Sequence, residues 1–550
     1  MGRGEGMMGR ILAAALCGAL CLGVFFRGQL GDGFTLLLGD RHDGVIALSI
    51  LEHWSNVLRG IEPWDRTAYF FPVPATLGYN DGYLLFGLLH AGFRALGADP
   101  FLSGELVNLA TRAIGFAATL ALGRRLFGLP FGWALLGAAL FTISNNLFIR
   151  GSHAQLFSIS FVPLLALLAH GALRGLWEGR RGALLGWGAG FCVLFAACLM
   201  TGFYMAWYSA FLGGALLLAW LAVAGGAARR RLFGGLRAQA WPLAALAALT
   251  VAVNLPFLAL YLPKAAETGM HPWADVVRNA PELLDILNVG QENLLWGWLV
   301  RALNDAFRPG FPAWSERMTG LPPLLLAFYA AALVWLARGP ALPPARLALL
   351  RALGLASLAT WLLTVQVGGV TAWSLVYHYV PGGKAPRVVA RYQLFVTPSV
   401  ILLALAFLAS RRWGRLPVAL VAAVLLLEQL NGYAPRFLDR PLEKDRLAAV
   451  PAPPAACRAF YVSAARTGSR FGEAVADPYN HNAEAMIVAA VRHIPTVNGI
   501  STFNPPYWPD GIPDDPGYRA AVEAYAREWG VAGLCALDLR RMEWSGPEER

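Results

Sequence analysis

About eleven apolar stretches of roughly 16 to 22 residues, close to the length a bilayer core demands, interrupt this chain and exclude a soluble fold. They lie around 11–26, 105–122, 131–148, 154–173, 183–200, 204–224, 240–261, 321–338, 347–367, 394–410 and 416–432. Apolar residues make up 57% of the sequence and charged ones 14%, against about 25% charged in a soluble domain. Mean hydropathy is +0.50. The expected fold class is mainly α, a polytopic transmembrane bundle of about eleven helices.

A net charge of +11 would point to nucleic acid in a soluble protein, but here the basic residues are placed between spans, and no nucleic-acid partner is expected. The run 11–26 follows Arg3 and Arg10 without a small-residue cleavage signature, so it is expected to remain as the first span. With the amino terminus inside, Arg124/Arg125, Arg174/Arg180/Arg181, Arg229/Arg230/Arg231/Arg237, Arg338/Arg346/Arg351 and Arg411/Arg412/Arg415 all become cytoplasmic. This alternation requires that 84–96, short and containing His90 and Arg94, lies along the outer surface as an amphipathic helix. The expected location is a cell (inner) membrane, with multiple passes.

Three outward regions follow: 27–104, 263–320 and the tail 433–550. Residues 1–432 form the expected membrane module. The tail has ordinary polarity, short apolar runs at 459–462 and 531–537, and a helical pattern at 518–529, which predict a small extracytoplasmic α/β domain. Its Pro-rich start, 450–454, reads as a linker. Cys457 and Cys535 both fall in that domain, where a disulfide is chemically permitted. The sequence shows no zinc-ligand spacing, Walker A pattern, Gly-x-Ser-x-Gly elbow or internal repeat.

Charged residues beside a bilayer need a reason. Directly after the first span stand Asp40 and Asp43 in Gly-Asp-Arg-His-Asp-Gly, then Glu52-His53, then Asp81 after an aromatic, Pro-rich run. A carboxylate there can act as general base toward a hydroxyl, or two can ligate a divalent cation. The blander alternative is that Asp40 caps a helix beginning near Asp43, that Asp43 is a first-turn acid, and that Asp81 is a second cap. Glu52 and His53 are candidates for the wall of the same cleft, or face headgroups.

His153 and Gln155 sit at the outer end of a span, suited to a sugar hydroxyl or phosphate oxygen. The outer loop 368–393 carries His378, Lys384, Arg387 and Arg391 around Gly382-Gly383, cations on the side where they are disfavoured. An anion, most simply a lipid phosphate, would explain them, as would ordinary headgroup contact.

The phrases Gly39-Asp-Arg-His-Asp43, Phe70-Phe-Pro-Val-Pro-Ala-Thr-Leu-Gly-Tyr-Asn-Asp81, Ser152-His-Ala-Gln155, Pro381-Gly-Gly-Lys-Ala-Pro-Arg-Val-Val-Ala-Arg391 and Val497-Asn-Gly-Ile-Ser501 resemble a bacterial branch of the GT-C superfamily of integral-membrane glycosyltransferases. The resemblance implies an inverting glycosyltransferase that moves a sugar from a polyprenyl-phosphate-linked donor to an acceptor hydroxyl on a glycan, lipid or protein. It implies Asp40 or Asp43 as catalytic base and Lys384, Arg387 or Arg391 on the phosphate. A clean Asp-x-Asp and a Trp-Trp-Asp signature are missing, so neither an obligatory metal or other cofactor nor transfer to asparagine is expected. A transporter or flippase of lipid-linked saccharide, or a noncatalytic accessory protein, would use the same residues for binding alone.

Overall fold

The computed structural model describes residues 2–312, 315–466, 480–509 and 511–547. Among the described residues, nine helices are long and apolar enough to cross a membrane: Gly6–Phe25, Pro100–Arg125, Phe131–Ile149, Ala154–Trp177, Arg181–Leu199, Phe203–Val223, Ala240–Thr268, Pro344–Thr364 and Val389–Ala409. The two remaining expected spans are the shorter apolar helices Pro323–Ala337 and Arg415–Leu427. At 1.5 Å per residue these reach only about 20 Å, short of a hydrocarbon core of about 30 Å.

Local chemistry sets the helix ends. Asp99 accepts a hydrogen bond from the Leu102 amide with Pro100 in the first turn, and Arg124 and Arg125 complete the last turn of the same helix. Proline also opens Pro323–Ala337 and Pro344–Thr364. Val389–Ala409 is the central element, with 89% of its apolar window buried, whereas Ala240–Thr268, at 6%, is peripheral. Exposed Val251, Leu255 and Leu262 on the latter form a surface suited to lipid contact.

One end of the bundle collects the Arg-rich connections. Arg124 donates to the Leu129 carbonyl, Arg231 to that of Trp177 and Arg351 to that of Leu336. The opposite end holds the long connections and the tail. There the helix Leu84–Ala95, of 12 residues, packs against Asp43–Leu58 and Pro100–Arg125. It is too short to cross, in keeping with a surface helix.

In the tail, strand Ala459–Ala464 runs parallel to Leu534–Asp538, which pairs antiparallel with Glu543–Ser545. Helices Asn480–Arg492 and Tyr518–Glu528 flank them, and Cys457 and Cys535 are joined by a disulfide. The tail is fused to the first loop. Leu36–Leu37 pairs with Leu438–Asp439, the Phe70 amide donates to the Asn498 carbonyl at 3.0 Å, and Met486 and Ile487 share one apolar core with Phe70 and Tyr79. The Pro-rich start is anchored too, since Val450 is buried and accepts from Arg492.

Candidate active site

The turn that presents the first-loop acids is fixed from both sides. Gly39 has φ +103°, and a side chain there would stand 3.3 Å from the Gly44 Cα, so the fold-back favours glycine at position 39. Its amide donates to Pro435 at 3.0 Å and its carbonyl accepts from Phe437 at 2.9 Å, pinning the turn to the segment that follows the last apolar helix. Asp40 turns inward, where its Oδ1 accepts from the amides of His42 at 2.9 Å and Gly44 at 3.3 Å. It closes the start of Asp43–Leu58, the capping alternative.

Asp43 faces outward, with 52% of its side chain exposed and Oδ2 3.5 Å from His153 Nδ1. The other nitrogen of that ring, Nε2, lies 3.2 Å from Glu316 Oε1. Glu316 Oε2 accepts from Arg391 Nη2 at 3.2 Å, and Arg150 Nη1 stands 3.7 Å from Oε1. Residues from four distant parts of the chain thus form one continuous charge relay. Arg150 and Arg391 are buried, at 0% and 7% exposure.

Each cation is held by its own scaffold. His153 closes a turn onto the Arg150 carbonyl at 3.0 Å, just beyond a buried knot in which Asn145 Oδ1 accepts from Asn293 and Asn431. Arg391 ends the short turn Val389–Arg391. The Ala390 carbonyl accepts from Thr319 Oγ1 at 2.9 Å, and the Arg391 guanidinium carbon lies 5.7 Å from the Tyr204 ring centre.

Electrostatics follow from this packing. For Asp43, partial desolvation works against ionisation, but the His153 hydrogen bond and the Arg391 charge outweigh it and lower the carboxyl below its ordinary value. Glu316 is held well below the carboxylate range in the same way, burial opposed by Arg391 and His153. His153 is raised: burial and Arg391 disfavour its charge, yet Asp43 and Glu316 prevail. An imidazole flanked by carboxylates on both nitrogens needs both protons to donate.

Asp81 lies at the edge of this group. Its Oδ1 accepts from the Phe203 amide at 2.8 Å, so it caps the helix Phe203–Val223 from a remote loop. Burial raises its carboxyl, with the Phe203 amide and Arg391 pulling the other way. Next to it, Tyr83 donates to Gln155 Oε1 at 3.1 Å.

The other expected site residues are not members of this relay. Glu52, expected at the cleft wall, is 1% exposed and bonded to His90 Nε2 at 2.9 Å and Arg94 Nε at 2.9 Å, so it joins two helices of the first loop. His53, also expected there, is bonded to Glu62 at 2.5 Å. Both side chains sit on the packed face of Asp43–Leu58 and have their polar atoms engaged. Lys384 and Arg387 are exposed; Lys384 stands 5.5 Å from the Tyr377 ring centre, and the Arg387 amide donates to Tyr204 at 2.7 Å. His378 is exposed against Tyr377, 4.9 Å between ring centres. Gly382 and Gly383 make room for protein, since side chains there would strike Trp207 and the Val376 carbonyl.

Sequence reasoning overlooked Glu316. Its only signal was an acid late in a long outer loop that holds several others, and nothing local separates it from Glu282 or Glu292. Among the described residues, no group of three or more His, Cys, Asp or Glu side chains is placed to hold a metal ion.

No family model matches this chain, and no curated protein matches it. Among solved structures, it is similar to the Archaeoglobus fulgidus oligosaccharyltransferase, solved in complex with Zn and sulfate. That match has a TM-score of 0.51 and 12% identity and covers 95% of this chain and 67% of that one. ArnT from Cupriavidus metallidurans in the apo state matches at TM-score 0.40 and 12% identity, over 98% of this chain and 94% of that one. The arabinofuranosyltransferase AftD from Mycobacteria matches at TM-score 0.47 and 15% identity, over 90% of this chain and 32% of that one. The chain shares the fold of that oligosaccharyltransferase.

Proposed function

We propose that this protein is a membrane glycosyltransferase that transfers a sugar, with inversion, from a polyprenyl-phosphate-linked donor to an acceptor hydroxyl on the extracytoplasmic side. The observation that carries the reading is the relay from Asp43 through His153 and Glu316 to Arg391, which supports it by joining an exposed carboxylate and a buried cation in one cluster. Sidedness rests on the Arg-rich connections, which gather at the other end of the bundle and belong in the cytoplasm. A cell membrane, and an outward tail, follow from that orientation.

The acceptor oxygen attacks the anomeric carbon from the face opposite the phosphate. The new glycosidic bond forms as the bond from that carbon to the phosphate oxygen breaks, and its electron pair leaves on polyprenyl phosphate. The acceptor proton passes to Asp43, a carboxylate at neutral pH on its ordinary value alone, which His153 and Arg391 hold lower still. Arg391, with His153 and Arg150 behind it, receives the departing negative charge; preorganised donors of this kind each contribute about 3 kcal/mol. Asp40 serves the turn. Charge stabilisation is assigned to these side chains, and we propose that transfer withstands chelators.

Asp81 is the second candidate base, favoured by a carboxyl that burial holds above its ordinary value, a better proton acceptor once ionised. The test is transfer from a panel of radiolabelled polyprenyl-phosphate hexoses and pentoses by the wild type, Asp43→Asn and Asp81→Asn. Loss of turnover in Asp43→Asn with substrate binding retained supports the first assignment; full activity in that variant and loss in Asp81→Asn transfers the role. Movement of intact lipid-linked sugar across proteoliposomes, with no transfer, would make the protein a transporter.

A further inference from the structure

Glu316 occupies the place an anion would take. Three cationic heads, from Arg150, His153 and Arg391, converge on its single carboxylate at 3.7, 3.2 and 3.2 Å. Asp43 meets the same cluster through His153, and Asp81 and the Tyr204 ring border Arg391. The cations are buried, but Glu316 keeps 22% of its side chain exposed. Moreover, the Arg391 Nε is buried with no hydrogen-bond partner, so the carboxylate leaves the donor capacity of the site unfilled.

Two oxygens shared among three cations are a poorer match than a phosphate monoester, which offers three non-ester oxygens and close to two negative charges. The backbone beside Glu316 suits an exchange. Gly320 and Leu321 are tied to the Asn288 and Ile286 carbonyls and Thr319 to Ala390, while Glu316 itself lies in a stretch outside any helix or strand.

We propose that Glu316 is an internal stand-in for phosphate: it fills the Arg150–His153–Arg391 site in the empty protein and is displaced by the phosphate of a lipid carrier. This rests on the glycosyltransferase reading and deepens it. During transfer the lipid phosphate changes from a diester to a monoester and gains charge, so a site built for three oxygens favours the departing group over the incoming one. Glu316 then competes with product, helps to expel it, and keeps buried cations neutralised between turnovers.

Binding of inorganic phosphate and, separately, of undecaprenyl phosphate to the detergent-solubilised full-length protein tests the idea. Glu316→Gln keeps the shape and removes the charge, and it should bind both probes about tenfold more tightly than wild type, the scale of one charged contact. Adding Arg391→Ala should abolish that gain. If Glu316→Gln binds both probes equally or more weakly, the stand-in is wrong, while the Asp43→Asn transfer assay decides the glycosyltransferase reading independently. A gain for inorganic phosphate without any binding of undecaprenyl phosphate overturns the proposal, because the ligand would then be free phosphate and not a lipid carrier. A measurement on wild type avoids any folding defect: amide exchange over 315–321 should speed up when phosphate is added, and unchanged exchange at saturation overturns the proposal.

Discussion

Asp43 and Glu52 stand on the same helix, and each meets a histidine, yet the two sites are built in opposite ways. Glu52 is 1% exposed, and both its oxygens accept hydrogen bonds from His90 and Arg94 between 2.9 and 3.2 Å. Asp43 is 52% exposed and has one loose contact at 3.5 Å. A saturated, dry ion pair commits its charges to the fold, because breaking it strands a buried partner. The open one retains capacity for a proton or a ligand. The same residue types therefore make a joint at one turn of the helix and a candidate catalytic group at another.

The sharpest way to break this contrast is to neutralise each acid in turn. Asp43→Asn is expected to lower transfer by about a thousandfold, within the range for a general base, with the melting temperature nearly unchanged. Glu52→Gln is expected to do the reverse, destabilising the protein by about 3 kcal/mol while folded enzyme transfers at the wild-type rate. Parallel activity and thermal-unfolding measurements decide both. Equal loss of stability in the two variants would mean that Asp43 is a joint as well.

A smaller effect sharpens the open site. Arg391→Lys keeps the charge but loses the planar fork and the stacking on Tyr204, and is expected to weaken polyprenyl-phosphate binding by about tenfold. The corresponding change in the closed pair, Arg94→Lys, should leave ligand affinity untouched. Direct binding assays on the two variants separate the sites.

The mildest probe is pH. His153 is raised above its ordinary 6.5, so its contribution to stability is complete below that value and fades as pH climbs through the higher folded value. Asp43 and Glu316 are lowered from 3.8 and 4.5, so theirs is present above those values and fades as pH falls through the lower folded ones. The relay should stabilise the protein most between about pH 4.5 and 6.5. Melting curves of wild type and His153→Gln across pH 3 to 9 check this; a difference between them that does not diminish above neutrality would contradict it.

Much of the membrane architecture was legible because hydropathy is a local property. A run of apolar residues reads the same whatever it packs against, and the helices of the bundle lie where the runs are. The limits of that reading appear at 321–338 and 416–432, where apolar composition continued past the length of the helix that formed. The first-loop acids stood out for the same reason, as charge in an apolar text. Asp40 and Asp43 were indistinguishable by type, however, and only the fold-back at Gly39 and Gly44 turned one onto the backbone and the other outward.

Sequence alone determined that this chain lives in a bilayer, which ends of its helices carry the arginines, and that its polar residues cluster on the opposite end. Tertiary structure decided which of those residues meet. Positions 43, 150, 153, 316 and 391 have no periodicity that could link them, and Glu52 and His53 had as good a claim by type. The physical reason is range: burial preference acts on each residue through its own neighbours in the chain, whereas Coulomb attraction acts at a few ångströms across segments that only packing brings together.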